Sequence, residues 1–409
     1  MLTSYRRVLG RPGALLFSAT GLVARMPISM MTLAIVLLVT AQTGSYTMAG
    51  QVSAAFVIAN AAVAIPHGRL LDRLGQSRVL PVDSVLFALG AGLLGYGVVH
   101  DWATPWPHLA AAVAGIAMPQ IGSSVRARWT DLLPDDAERQ TAFAVEAIAD
   151  ETVFMTGPTL VTFLATLWAP VAGLAAAVVL CTVGTLGLAL QRRTEPTPHP
   201  RSADPTQRVA MPWLQLGALT LGGAALGALF GATEVATVAF AQDHGHKATS
   251  GVLLAVWALG SLLSGLLTGA ISWRISTVRR FRVGALLLTL AMAPTPFLPG
   301  LWSMGVLLFV AGFAISPTLI ALVSRIEEVA PRARLSEALG LLQTGLGAGI
   351  APGAALAGYV IDHQGGSPAY WVAIGSGAIA ALSALLANDG PPSNGSLRRV
   401  SGSEPVDRA

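Results

Sequence analysis

The stretch AAFVIANAAVAIPHGRLLDRLGQSRVLPVDSVLFALGAGLL, residues 54–94, decides how this chain is read. An apolar run ends at Gly68, a short loop carries Asp72 with Arg69, Arg73 and Arg78, and a second apolar run starts at once. A bilayer core of ~30 Å takes about 20 apolar residues in a helix. The charged residues therefore read as a turn between two membrane crossings, with Gly68 and Gly75 allowing the chain to reverse tightly.

The rest of the chain is built the same way. Its 409 residues are 53% hydrophobic and 11% charged, with mean hydropathy +0.64. Soluble domains carry about 25% charged residues, so this chain lacks the side chains for a water-facing surface. Apolar runs fall at roughly 13–41, 47–67, 79–98, 107–125, 141–167 and 170–190. They resume at roughly 213–241, 249–271, 281–298, 301–324, 337–361 and 369–387. The fold class expected is an all-α membrane protein of twelve transmembrane helices in two pseudo-symmetric six-helix halves. Residues 1–190 form the first half, 191–212 a proline-rich cytoplasmic linker, 213–387 the second half, and 388–409 a polar, disordered cytoplasmic tail.

Cytoplasmic loops collect Lys and Arg. With both termini inside, 23 of the 25 basic residues fall on the cytoplasmic side, all except Arg25 and Lys247. This expectation places the chain in the cell membrane as a multi-pass monomer. The excess of positive charge is thereby a topology signal, and no basic patch with interleaved aromatics points to nucleic acid. One cysteine, Cys181, excludes a disulfide framework within the chain.

The halves repeat. Gly50, Gly68, Arg73 and Arg78 recur at an offset of 201 as Gly251, Gly269, Arg274 and Arg279. Gly115 and Pro134 match Gly312 and Pro331 at an offset of 197, and Pro158 lies near the equivalent of Pro352. Such repeats are expected of carriers whose site lies between two halves at mid-membrane. Gly223, Gly227 and Gly231, then Ser261, Gly265 and Gly269, then Gly345, Gly349 and Gly353, stand four apart and read as helix-packing rows.

The loop Gly68-Arg-Leu-Leu-Asp72-Arg73-Leu-Gly75-Gln-Ser-Arg78 resembles the signature of the major facilitator superfamily, between its second and third spans. The resemblance implies a twelve-helix transporter in which Gly68, Asp72, Arg73, Gly75 and Arg78 form a cytoplasmic gating loop. It further implies that Asp72 faces the start of span eleven near Ser336 and latches the outward-open state. Gly157-Pro158 looks like part of the antiporter signature of drug exporters, although Val161 and Thr162 stand where that signature has glycines.

An ionisable group inside the bilayer is a functional candidate by default. Arg25 lies about twelve residues into the first span, roughly 18 Å deep at a rise of about 1.5 Å per residue. Asp150 and Glu151 reach a similar depth on span five, with Glu146 one turn below Asp150. Arg25 is therefore expected to pair with Asp150 or Glu151, and one base cannot neutralise three acids. A surplus carboxylate in low dielectric takes up a proton readily, which suits a proton-coupled carrier. Glu234 on span seven is a further candidate, and Asn60, Gln120 and Gln343 are candidates for the cavity lining.

No nucleotide-binding Gly-Lys-Ser/Thr loop, metal-ligand cluster or catalytic constellation appears, so neither an enzyme nor a cofactor or metal is expected. The reading is a secondary active transporter that exports a small organic compound against protons by alternating access. Uptake of a sugar or amino acid, and a non-transporting membrane sensor, stay open as alternatives.

Overall fold

The computed structural model describes residues 2–198, 211–270, 275–331 and 335–387, and these are helical almost throughout, with no strand among them. Lipid offers backbone groups no hydrogen-bond partner, so an apolar crossing must satisfy them within its own helix. The expected tail, 388–409, and residues 199–210 of the expected linker lie outside the described residues.

A short helix, α1 (Leu2–Leu9), precedes the first crossing, which α2 (Ala14–Arg25) and α3 (Pro27–Thr43) make together. Next come α4 (Tyr46–Leu74) and α5 (Gln76–Val99), then a crossing shared by α6 (Trp106–Ile116) and α7 (Ile121–Leu132). The first half ends with α8 (Asp136–Leu167) and α9 (Ala172–Ala189). The second half contains α10 (Trp213–Asp243), α11 (Thr249–Ala270) and α12 (Thr277–Met292). Its fourth crossing is α13 (Leu301–Gly312) with α14 (Ile315–Val329), followed by α15 (Leu335–Gln364) and α16 (Gly366–Leu386).

Twelve crossings result, nine of them long and apolar enough to be recognised by length and composition alone among the described residues. The other three have physical reasons for falling short. The fourth is interrupted at Ala117–Gln120, α8 carries Glu146 and Asp150, and α12 is 16 residues long with arginines in its first turns. Large apolar side chains such as Leu89, Leu93, Leu382 and Trp302 are exposed around the bundle, as a lipid-facing surface requires.

Several boundaries differ from expectation. The fourth crossing runs on to Leu132 and the tenth to Val329, so Arg126, Arg128 and Arg325 stand on helices and not in loops. A helix can carry them because each guanidinium finds an acceptor there: Asp150 for Arg126, Gln76 for Arg128 and Glu328 for Arg325.

The repeat seen in the sequence is a repeat of packing. A side chain at Gly115 would collide with the Phe56 carbonyl, and one at Gly312 with the Trp257 carbonyl. Phe56 and Trp257 are themselves related by the offset of 201. Gly50 lies against Ala354 and Ala355 of α15, while its partner Gly251 lies against Pro158 and Thr162 of α8. Thus α4 meets α15 across the interface between halves as α11 meets α8.

Two glycine rows mesh. Gly223, Gly227 and Gly231 of α10 face Leu342, Leu346 and Ile350, and Gly345, Gly349 and Gly353 of α15 face Thr220, Ala224 and Ala228. In lipid no hydrophobic force drives helices together, so close backbone approach and dispersion must do it. A methyl group at Gly227 or Gly349 would strike a carbonyl of the opposing helix.

The halves are bonded to each other at the face opposite the arginine-rich one. Asp362, near the end of α15, accepts from the backbone N–H of Tyr46 (2.8 Å) and Thr47 (2.7 Å) and from Ser45 Oγ (2.9 Å). It thereby caps the first turn of α4, where unpaired N–H groups favour an anion. Tyr46 Oη donates to Gln242 Oε1 (2.9 Å), Thr159 Oγ1 to the Gly251 carbonyl (3.2 Å), and Lys247 Nζ to Thr40 Oγ1 (3.2 Å). Burial pushes the Lys247 ammonium below its usual range.

Replacing Asp362 by Ala removes three acceptor contacts from the first turn of α4. Spin labels at Gln42 and His363 should then show a broadened, longer distance distribution by pulsed dipolar spectroscopy. An unchanged distribution would mean that this cap does not hold the face closed.

Candidate functional site

The first half contains a charge network within the membrane, and three helices build it. Arg25 ends α2, its positive charge at the helix C-terminus, where the macrodipole favours a cation. The crossing breaks at Met26, and Pro27 occupies the first position of α3. Gly21, one turn earlier, leaves room for Val125 and for the guanidinium itself.

Arg25 is 1% exposed. Its Nη2 donates to Glu146 Oε2 and its Nη1 to Asp150 Oδ1 (2.6 Å). Glu146 is fully buried, and its other oxygen accepts from Ser18 Oγ and Trp129 Nε1, both at 2.9 Å. The Trp129 ring packs edge-on against Phe17 at 4.6 Å. Asp150 is different: its second oxygen accepts from Arg126 Nη2 at 2.9 Å, and the side chains of Asp150 and Arg126 are 32% and 48% exposed. The network therefore has a sealed end at Glu146 and a partly exposed end at Asp150 and Arg126.

The apolar run 107–125 leaves Arg126 in the loop that follows it. On α7 it is a second base, so Glu146 and Asp150 are matched one for one by two arginines. Glu151 also lies on α8, with its side chain outside the described residues.

Glu234 stands apart on α10. Its Oε1 is buried and has no hydrogen-bond partner among the described residues. One turn earlier, Phe230 packs edge-on against Trp257 of α11 at 5.7 Å. Asn60 and Gln120 come together where α6 breaks from α7, with Gln120 Nε2 3.5 Å from Asn60 Oδ1. Gln343 is exposed on α15.

In the signature loop, Gly75 has φ +86°, which glycine adopts without strain and which lets α4 turn directly into α5. Gly68 and Asp72 line a cavity of about 410 Å³ with Gln76, Ser124 and Pro196. Asp72, Arg73 and Arg78 are exposed. The side chain of Ser336, the expected neighbour of Asp72, lies outside the described residues.

Two features were not legible beforehand. Arg128, fully buried, donates to Gln76 Oε1 (2.7 Å), the Gln191 carbonyl (3.0 Å), Thr194 Oγ1 (2.9 Å) and the Leu188 carbonyl (3.0 Å). With Glu195, which accepts from the Ser77 N–H at 2.8 Å, it fastens the start of the linker to the signature loop. The second is a buried pair between His67 Nε2 and Asp83 Oδ2 at 2.7 Å, linking α4 to α5. Two polar residues within apolar helices, His67 and Asp83, were the available signal.

Two repeated six-helix halves, a glycine-turned charged loop and buried charges between helices define a transporter fold. The Major Facilitator Superfamily model matches residues 17–307 and, in a second overlapping match, 219–406. The chain belongs to the major facilitator superfamily. No curated protein matches it in sequence. Among solved structures it is similar to the nucleoside transporter NupG (TM-score 0.71, 14% identity, 91% of this chain and 98% of that one). It is also similar to a POT peptide transporter in complex with sulfate (0.69, 14%, 92% and 94%). A bacterial homologue of the human lysosomal transporter Spinster, in an inward-facing and occupied conformation, is a third (0.65, 14%, 91% and 95%). At these identities the likeness concerns the fold.

Removing one member of a buried ion pair strands a charge and costs about 3–5 kcal/mol. Arg25→Met should lower the unfolding free energy in detergent by about that amount, and adding Glu146→Gln and Asp150→Asn should recover much of it. Equal stability of Arg25→Met and the parent would show that the network does not hold these helices.

Proposed function

We propose that the chain is a secondary active transporter that exchanges protons for a small organic compound by alternating access. The arginine-rich face and both termini lie in the cytoplasm, by the asymmetry of basic residues. The halves then close against each other on the outer side through Asp362, Tyr46 and Thr159, an inward-facing arrangement. One observation carries the coupling role: Asp150 is the partly exposed acid of the network and is held between two arginines.

A proton on Asp150 removes the negative charge that joins Arg126 to Arg25. The Arg126 contact then loses its Coulombic part, and α7 and α8 are no longer tied at this point. Sealed between Arg25, Ser18 and Trp129, Glu146 keeps its hydrogen bonds and holds Arg25 in place. A charge that forms and disappears with occupancy gives each conformation a different preferred ligand state, which a coupled carrier requires.

Export is the preferred direction, on the Gly157-Pro158 element. Gly157 packs against Ser29 and Met30, and Thr159, two residues on, bonds across to α11. This stretch of α8 therefore belongs both to the first half and to its contact with the second.

The test is proton flux in reconstituted vesicles driven by a gradient of a transported solute. Asp150→Asn should reduce coupled flux at least tenfold while solute counterflow persists. Coupling at the parent level in the Asp150→Asn, Glu151→Gln double variant would overturn the assignment.

A further inference from the structure

We propose that Glu234, with the aromatic pair Phe230 and Trp257 one helical turn away, binds a monovalent organic cation with an apolar body, the substrate class of the carrier. The inference rests on the transport reading above and adds the chemistry of the ligand.

The packing of α10 comes first. It is in contact with α11, α14, α15 and α16 of its own half and with α3 of the other, so its middle and outer turns are enclosed by helices. From Leu229 to Ala241 every residue is buried except Phe230 and Glu234, which are partly exposed. Phe230 and Glu234, one turn apart, share one face of α10, and Phe230 packs on Trp257 of α11.

Next comes the absence of a counter-charge. The helices packed on α10 supply none near Glu234. No charged residue occurs in α3, α11 or α16. In α14 the charges Arg325, Glu327 and Glu328 lie in the last two turns, toward the arginine-rich face. In α15 they are Glu337 in the first turn, with Asp362 and His363 in the last, and Asp362 is occupied by the α4 cap. Arg25 and Arg126 have their own acids, and Lys247 donates to Thr40. A buried carboxylate oxygen without a partner costs several kcal/mol unless a positive charge meets it. The described residues provide no such charge here, so a proton or a cationic ligand must supply it.

The same wall defines the rest of the ligand. Trp257 Nε1 is buried and has no acceptor among the described residues. The Phe230–Trp257 edge-to-face pair presents aromatic surface one helical turn from the carboxylate. Aromatic faces attract cations and bury apolar bodies. An unpartnered carboxylate oxygen, an unpartnered indole N–H and an aromatic wall fit a protonated or quaternary nitrogen on an apolar frame, with an acceptor atom nearby. A metal ion fits poorly, because divalent cations demand several oxygen ligands and no group of three or more His, Cys, Asp or Glu stands together among the described residues.

The experiment uses the full-length protein purified in detergent and three probes of similar shape: tetraphenylphosphonium, tetraphenylborate and triphenylphosphine oxide. Equilibrium dialysis should show saturable binding of the phosphonium and little of the borate. Glu234→Gln should weaken phosphonium binding by about tenfold or more, the worth of a charge-assisted contact, and leave phosphine oxide binding unchanged. Glu234→Asp, which keeps the charge, should retain most of the affinity, and a monodisperse elution profile shows that each variant is folded. Trp257→Leu should weaken the phosphonium and the phosphine oxide alike. Borate binding equal to phosphonium binding, or a Glu234→Gln variant with parent affinity, would overturn the proposal. Binding is read here without flux, so a proton-coupled carrier of another solute class would fail this test and still pass the flux measurement.

Discussion

Arg25 must be neutralised inside a bilayer, and most of the first half is arranged around that need. Its guanidinium cannot reach water from 1% exposure, so α8 brings Glu146 and Asp150 to it, and α7 brings Trp129 and Arg126. An unpaired charge at this depth would cost more than most single interactions contribute. The network therefore sets the rotation of α8 about its axis and its height beside α2. Its two ends differ: Glu146 is surrounded by donors, whereas Asp150 is partly exposed.

Contact between the uncharged helix faces obeys a different physics. Lipid tails are as apolar as leucine, so association depends on close fit and on polar bonds made out of water. The α10–α15 seam shows the first, with glycines allowing one backbone to lie against the other. Asp362 on the first turn of α4 shows the second. The seam lies within the second half and is long and rigid; the Asp362 cap lies between halves, at one end, and consists of a few exchangeable hydrogen bonds. A bundle whose halves meet along α4–α15 and α8–α11, with a few exchangeable hydrogen bonds at one face, can rock about its middle.

The duplicated frame carries different chemistry in its two halves: a charge network in the first, and in the second Glu234, whose buried Oε1 has no partner among the described residues. Gly115 and Gly312, like Gly50 and Gly251, have equivalent surroundings, so the scaffold is shared. Phe56 and Trp257 occupy related places, yet Glu234 has no counterpart that pairs with it. Chemistry has diverged on a common frame, consistent with a family whose solved relatives are named for peptides and nucleosides.

The amino-acid sequence alone determined the solvent, the number of crossings, the repeat and the signature loop. These depend on composition and on neighbours along the chain: twenty apolar residues in a row, arginines in alternate loops, glycines at a constant offset. It also put Arg25 and Asp150 at one depth, because rise per residue is a local quantity. Tertiary structure decided which charges meet. That Arg126 leaves the loop to become the second base, that Glu146 is sealed by Ser18 and Trp129, and that Arg128 fastens the linker depend on helix rotation and on where α6 breaks into α7. Those are set by packing between segments more than a hundred residues apart, for Arg25 and its acids, and no local pattern in the chain encodes them.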